Sequence, residues 1–148
     1  MRRPARDPRA RFLDRSMVAS IAVSAAGLFA AVAVAYVVSA SGGEGRARTV
    51  AFVTWLLGHV ALAFSLRRER EPLTARGLAA NRVMVAWGLS TLAFVLLATF
   101  APPLRAALKT TPLAPSDWAL VVAAVAGGTA IVEWAKRGAR FDSPRPAD

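Results

Sequence analysis

The 148-residue chain contains no cysteine and a single histidine, His59. Without cysteine it can form neither a disulfide nor a thiolate nucleophile, and it can build no cysteine-based metal site. It also lacks a Gly-rich phosphate loop ending in Lys-Ser or Lys-Thr, a histidine pair for zinc, and carboxylates paired for acid/base work. The sequence therefore predicts neither a soluble catalytic centre nor a bound cofactor.

Acidic residues are also scarce, with 9 Asp and Glu against 19 Lys and Arg, which gives a formal net charge of +10. Nucleic-acid-binding domains usually carry their excess positive charge as a stripe on a soluble fold. Here the basic residues gather at the ends of apolar segments, an arrangement that suits membrane orientation and contact with anionic lipid. The expected partner is therefore the lipid bilayer and not a nucleic acid.

Long apolar segments are what the sequence has in abundance, since 55% of its residues are hydrophobic. Each segment is close to the ~20 residues that a helix needs to cross a bilayer core. The first is longer than the apolar core of a signal peptide, which has about 7–15 residues, so we expect a retained span. The sequence predicts an all-α integral membrane protein with a four-transmembrane-helix bundle, its spans being Met17–Ala40, Thr49–Leu66, Val83–Phe100 and Trp118–Trp134.

The distribution of basic residues predicts how the chain is oriented. Fifteen of the 19 Lys and Arg lie before the first span, between the second and third, or after the fourth. The positive-inside rule then places both termini in the cytoplasm, with the chain in the cell membrane. We expect a basic cytoplasmic arm at 1–16, the transmembrane domain at 17–137 and a polar tail at 138–148. The dominance of Arg over Lys and the abundance of Ala favour a GC-rich bacterial source.

Small residues recur at helical spacing in two spans. Ser20, Ser24 and Gly27 share one stripe of the first span, and Ala124 and Gly128 form a pair in the fourth. Small side chains let membrane helices approach closely, so these five positions are predicted to pack against other helices. The alternative is that an Ala-rich sequence produces such stripes by chance.

Both ends of the fourth span carry residues that are typical of helix ends and membrane interfaces. Ser116 or Asp117 is expected to cap its first turn. Trp118 and Trp134 are separated by about 24 Å of helix, and they are predicted to anchor the span at the two membrane interfaces. Glu133, one residue from the predicted cytoplasmic edge, is expected to extend toward water or to pair with Arg137, four residues later.

His59 is the only ionisable side chain deep in a predicted span. Such a group is a functional candidate by default, because it can coordinate a cation or carry a proton. The alternative is one interhelical hydrogen bond, for example to Ser90 or Thr91 of the third span. In either case we expect the imidazole to face the helix bundle, because an unpaired ring N–H in hydrocarbon costs several kcal/mol.

Short motifs, in order along nearly the whole chain, resemble the region from the seventh to the tenth transmembrane helix of P-type cation-transporting ATPases. The resemblance is nearest to the calcium-pump-like branch. The segments that resemble the entries to helices seven, eight and nine are Arg6–Arg9 with Leu13–Arg15, Ala47–Phe52, and Gly77–Arg82. The segments that resemble the approach to helix ten are Ala101–Leu104, Thr111–Leu113 and Asp117–Trp118. The residues that resemble the exit of that helix are Glu133, Lys136 and Arg137.

The resemblance implies a membrane support module without ATPase activity of its own, from a split, truncated or free-standing pump. The family's Asp-Lys-Thr-Gly phosphorylation motif is not in this sequence, so the remaining part of a P-type ATPase would be the partner that supplies it. One polar cation ligand of the eighth helix, Glu or Gln in several members, corresponds to His59. The Asn that often follows one turn later corresponds to Leu62. An imidazole is a poor ligand for calcium, which prefers oxygen.

Two other functions are compatible with the sequence. The first is an independent small four-span transporter or channel that uses His59. The second is a structural or regulatory membrane subunit that packs against a larger partner. A neighbouring gene for a pump that stops after its sixth helix would favour the support module. Ion flux in liposomes would favour the transporter, and co-purification with an unrelated membrane protein would favour the subunit.

Overall fold

The computed structural model describes residues 15–67 and 82–141. In these ranges the chain forms α1 (Arg15–Ser39), α2 (Glu44–Arg67), α3 (Arg82–Phe100), α4 (Pro102–Leu108) and α5 (Pro115–Phe141). Four segments are long and apolar enough to cross a membrane, namely Val18–Gly42, Glu44–Leu66, Arg82–Phe100 and Pro115–Ala135. The predicted all-α membrane fold with four spans is confirmed. Most of the expected basic arm, the motifs at 6–9 and 77–81, and the polar tail lie outside the described residues.

A tight turn joins α1 to α2. A short 3₁₀ helix over Ala40–Gly42 is followed by Gly43, whose φ of 101° suits a residue without a Cβ. The second helix begins at Glu44, five residues before the predicted start of the span at Thr49. The polar residues at this end are helical because Glu44 lies at the positive end of the helix and pairs with Arg48 one turn later.

Three of the long helices form the core. Each of α1, α2 and α5 packs against the other two, whereas α3 packs mainly on α2 and on the short α4 that follows it. Within the described ranges, no fully buried side chain is larger than valine. Helices in lipid associate through close packing of small residues rather than through a hydrophobic driving force. The buried cluster is accordingly made of Ala35, Val50, Val53, Val95, Leu113 and Val121.

The backbones of α1 and α5 approach each other closely at Gly27 and Gly128. A Cβ added to Gly128 would lie 2.9 Å from the carbonyl oxygen of Gly27 and 2.9 Å from the Cβ of Ala31. A Cβ added to Gly27 would lie 2.9 Å from a methyl group of Val132. The neighbouring Gly127 has open space around it, with nothing within 4 Å of an added Cβ. Glycine at Gly27 and Gly128 thus allows the first and last spans to touch.

The connection between α3 and α5 is folded. The apolar residues of Leu104–Leu108 suggest a short interfacial turn, and the structure has the seven-residue helix α4 there. This helix ends at Lys109, whose φ of 54° lies in the left-handed region and whose N–H donates to the carbonyl of Arg105. The hydroxyl of Thr110 donates to the carbonyl of Ala98 at 2.5 Å, which ties the connection to the end of α3.

Candidate functional site

One carboxylate joins the start of α5 to the start of α2. Asp117 is 1% exposed, and its Oδ1 accepts hydrogen bonds from Nε of Arg46 at 2.8 Å and from Nη2 at 2.5 Å. Its Oδ2 accepts the backbone N–H of Ala114 at 2.9 Å. Asp117 is the third residue of α5, so this second bond is the backward half of a capping box. Ser116 or Asp117 was expected to cap this helix, and in the structure Asp117 makes the capping bond.

A second contact fastens the same end of the molecule. Thr49 of α2 is 1% exposed, and its hydroxyl accepts the backbone N–H of Thr111 at 3.0 Å. The same hydroxyl donates to the carbonyl of Gly45 at 2.8 Å. The segment that precedes α5 is therefore held against the first turns of α2. This arrangement is not predictable from the sequence alone, because Arg46 and its partner Asp117 are 71 residues apart. The sequence did indicate that Arg46 and Asp117, which carry opposite charges, lie on the same predicted side of the membrane.

At their opposite ends α2 and α5 are also joined. The hydroxyl of Ser65 donates to the carboxylate of Glu133, which is half-buried. Glu133 was expected to extend toward water or to pair with Arg137, whose side chain lies outside the described part of the chain. Because α2 contacts α5 through polar groups at both ends, the two helices are held in one register.

His59 does not face the interior of the four helices, and the expectation that it would is wrong. Its side chain is exposed, and its Nδ1 lies 2.8 Å from the carbonyl oxygen of Trp55, one turn earlier in α2. A carbonyl can only accept, so Nδ1 carries the hydrogen in this contact. The two aromatic rings meet edge to face at 4.9 Å. The local bond removes the cost of an unpaired N–H that favoured an inward orientation.

The expected interhelical bond from His59 to the third span is not present in the described structure. Thr91, one of the two proposed partners, donates instead to the carbonyl of Trp87 in its own helix at 3.0 Å. Ser90, the other, has an exposed side chain. What surrounds His59 is an open cleft between α1 and α2 of about 470 Å³, which we call the α1–α2 cleft. Its lining includes Ser20, Ser24, Phe29, Trp55, His59 and Leu62.

The predicted packing stripe of α1 thus divides between two surfaces. Ser20 and Ser24 line the α1–α2 cleft, whereas Gly27 contacts α5 at Gly128. Ser24 is only 8% exposed, and its hydroxyl has no hydrogen-bond partner in the part of the chain that the structure describes. In α5, Ala124 is half-buried and packs against the core cluster.

The family of the chain follows from a comparison over nearly its whole length. A family model described as the C-terminus of cation-transporting ATPases matches residues 1–138. The chain belongs to this family. Comparison with curated proteins and with solved structures gives no match. The family resemblance identified from the motifs is confirmed, and with it a cation-transporting ATPase membrane domain of four helices that can span the bilayer.

The two tryptophans at the ends of the last span of this ATPase domain have different surroundings. Trp118 is half-buried and stacks on Phe100 of α3, with the ring centroids 6.4 Å apart and the planes 8° from parallel. Trp134 is 78% exposed. The roles of both as interface anchors stay predictions.

A cation site is not assembled by the described residues alone. Within 15–67 and 82–141, no three His, Cys, Asp or Glu side chains lie close enough together to hold a metal ion. The ATPase domain presents one imidazole, that of His59, which is exposed. A metal at His59 stays a prediction.

Proposed function

We propose that this chain is the membrane-embedded C-terminal support module of a P-type cation-transporting ATPase and does not hydrolyse ATP by itself. The observation that carries the proposal is the double attachment of α2 to α5, through Arg46 and Asp117 at one end and Ser65 and Glu133 at the other. With α1 in contact with both helices, the three form a braced unit. Three helices joined in this way are better suited to support the mobile helices of a pump than to move themselves.

We further propose that both termini and the connection between α2 and α3 face the cytoplasm of a bacterial cell. The support is the distribution of charge, with fifteen of the 19 basic residues on those segments. The partner is the remaining part of a P-type ATPase of the calcium-pump-like branch, on the same or on a separate polypeptide. That part would supply the phosphorylated domain and the upstream membrane helices.

The proposal is tested by reconstitution. The chain is co-expressed with the front part of a P-type ATPase that ends after its sixth helix, and ATP-dependent cation uptake is measured in inverted membrane vesicles. We expect uptake only when both parts are present, and we expect the two to co-purify. The pure chain should incorporate no acid-stable label from γ-labelled ATP. Labelling of the pure chain, or uptake by the front part alone, would contradict the proposal.

The exposed imidazole of His59 favours a second candidate, an independent four-span transporter or channel. This candidate predicts cation or proton flux from liposomes that contain only the chain, and loss of that flux in His59→Leu. The support module predicts no flux in either case. A third candidate, a structural or regulatory subunit, predicts co-purification with a membrane protein that is not a pump.

A further inference from the structure

We infer that the short helix α4 binds an anionic phospholipid, whose phosphate contacts the guanidinium group of Arg105. The site is one face of α4, formed by Arg105 and Leu108 with Lys109 at the helix end, and we call it the Arg105 face. Residues three and four apart lie on the same side of a helix, so these three can contact one lipid. The inference goes beyond the proposed function, because it needs neither a pump partner nor a particular orientation in the membrane.

The first argument is the place of α4 in the bilayer. The helix begins just after α3 ends at Phe100, and just beyond its own end the hydroxyl of Thr110 donates to the carbonyl of Ala98. Both ends of α4 therefore adjoin the last turn of α3. When α3 spans the hydrocarbon core, this turn lies at the edge of the core, next to the lipid headgroups. The stacking of Phe100 on Trp118 is in keeping with that depth, because aromatic rings gather at membrane interfaces.

The second argument is positive charge without compensation. Residues 83–116 include two charged side chains, Arg105 and Lys109, and both are basic. The acidic groups at this end of the described structure are already engaged, in the pairs Arg46–Asp117 and Arg48–Glu44. A zwitterionic lipid would bring a positive group for which this end has no unpaired carboxylate among the described residues. An anionic lipid brings only the negative charge that the Arg105 face lacks.

The third argument is the state of the guanidinium group. Nε of Arg105 is enclosed by the protein and has no hydrogen-bond partner among the described residues, while the side chain as a whole is half-buried. The other two buried side-chain atoms in this condition, in Ser24 and Thr54, belong to neutral hydroxyls. A charged donor that has lost water without gaining an acceptor costs more than a hydroxyl does. An anion at the terminal nitrogens would offset this cost, and its attraction is stronger where water is partly excluded.

The chemistry of this face selects the phosphate of a lipid over a free phosphate ion. A guanidinium group presents paired N–H donors in a fixed plane, which match two oxygens of a phosphodiester. Leu108 is 42% exposed on the same face, and Phe100 is 59% exposed at the end of α3. These side chains offer apolar surface to the acyl chains of the same lipid. A free ion would leave that surface uncovered.

The absence of cysteine allows a local test by fluorescence quenching. A single thiol is introduced next to Arg105 with Ala106→Cys, at an exposed position, and is labelled with bimane. The protein is reconstituted in phosphatidylcholine vesicles. Part of the lipid is then replaced by phosphatidylglycerol or phosphatidylcholine with brominated acyl chains, which quench the label on contact. The two quenching curves give the association constant of the anionic lipid relative to the zwitterionic one.

We expect phosphatidylglycerol to bind about three- to tenfold more strongly than phosphatidylcholine beside Ala106→Cys, the scale that one or two basic residues give near a membrane surface. Arg105→Gln should remove most of this preference. Arg105→Lys should keep part of it, because the charge remains without the paired donors. Circular dichroism checks that each variant is folded.

Two controls separate a site at Arg105 from the general charge of this end of the molecule. Arg48→Gln also removes one positive charge here, but Arg48 is exposed and paired with Glu44, so the lipid preference should not change. A label at Val37→Cys, which is 70% exposed near the same end of α1, should report equal binding of the two lipids.

Equal quenching by the two lipids at Ala106→Cys would overturn the inference, and so would a preference that survives in Arg105→Gln. An equal loss in Arg48→Gln would assign the preference to overall charge and overturn the site. If inorganic phosphate abolished the preference and sodium chloride of the same ionic strength did not, the site would belong to a soluble anion and not to a lipid. Should Arg105→Gln not fold, a preference of wild-type size in Arg105→Lys would overturn the role of the guanidinium group.

Discussion

The two oxygens of the Asp117 carboxylate serve different parts of the molecule. One accepts both hydrogen bonds from Arg46 of α2, and the other caps the first turn of α5 through the backbone of Ala114. Because the side chain is almost fully buried, water cannot replace either set of bonds when the carboxylate is removed.

We therefore expect Asp117→Ala to destabilise the protein in detergent. The loss of the helix cap alone should cost about 1 kcal/mol, and the loss of the partner of Arg46 adds to it. The measurement is thermal unfolding followed by circular dichroism. Glu44→Gln is the control, since it removes only the exposed pair with Arg48 and should leave the midpoint nearly unchanged. Equal midpoints for the two variants would show that the buried pair does not support the fold.

His59 gives the opposite expectation for stability. Among the described residues, its hydrogen bond is to the carbonyl of Trp55 within α2, so no described hydrogen bond between helices is lost when it is replaced. His59→Leu should change the unfolding free energy of the isolated chain by less than about 0.5 kcal/mol, as is usual for an exposed site. A loss of 1 kcal/mol or more in detergent would mean that the imidazole bonds to another helix.

The sequence located His59 at membrane depth but not its orientation. The inward prediction assumed that a ring N–H in hydrocarbon must find another helix. A histidine can instead donate to the carbonyl one turn earlier, a local bond that residue spacing alone does not reveal. Asp117 was predicted as a cap, and it is one. Its pairing with Arg46 depends on the meeting of two helices that are far apart in the sequence.

Among the helices, the contact of α1 with α5 is sensitive to added volume because backbone atoms are involved. At Gly128 the nearest atoms to an added Cβ include the carbonyl oxygen of Gly27, which belongs to the backbone and cannot rotate away. The neighbouring Gly127 faces open space on the same helix. The two adjacent glycine positions therefore differ in whether they can accommodate a larger side chain.

We predict that Gly128→Ala lowers the free energy of unfolding by about 1–3 kcal/mol, the usual range for overpacking. Gly127→Ala should be neutral or slightly stabilising, because alanine is the better helix former. Denaturant or thermal unfolding of the two variants in the same detergent gives the comparison. If both variants had the wild-type stability, the close approach of the two backbones would not exist in the detergent-solubilised protein.

The extent of each helix was less predictable than its existence. Long apolar segments predict the four spans because a backbone in lipid must satisfy its hydrogen bonds within itself. Hydropathy does not mark where a helix continues into the interface, so the polar turn from Glu44 to Arg48 was not counted in α2. The same limit applies to α4, which the sequence suggested only as a short turn before Lys109.

For the molecule as a whole, the positive-inside rule makes a prediction that the arrangement of the helices does not test. Reporter fusions at Arg70 and after Asp148 should report the cytoplasm, and fusions at Gly43 and Lys109 should report the outside. The reason is the concentration of fifteen basic residues on the predicted cytoplasmic segments. Alkaline phosphatase and a fluorescent protein serve as complementary reporters. An outside signal at Arg70 would exclude the proposed orientation.

Which spans pack together was only partly predictable. The small residues Gly27 and Gly128 were predicted to lie in helix contacts, and the structure places them against each other. Nothing in the sequence distinguished this pairing from a contact of either helix with α3, because α3 is also rich in small and apolar residues. The arrangement of α1, α2 and α5 around one core depends on the three-dimensional fit of all three surfaces.

The arrangement of the core has a consequence for how the chain is made. A ribosome completes α1, α2 and α3 before it reaches α5, yet α5 is the helix that fills the contacts of Gly27, Arg46 and Ser65. Until the last span has been synthesised and inserted, these contacts with α5 cannot form. The core therefore closes late in biosynthesis, and an early stop in translation would leave the earlier spans inserted without the helix that joins them.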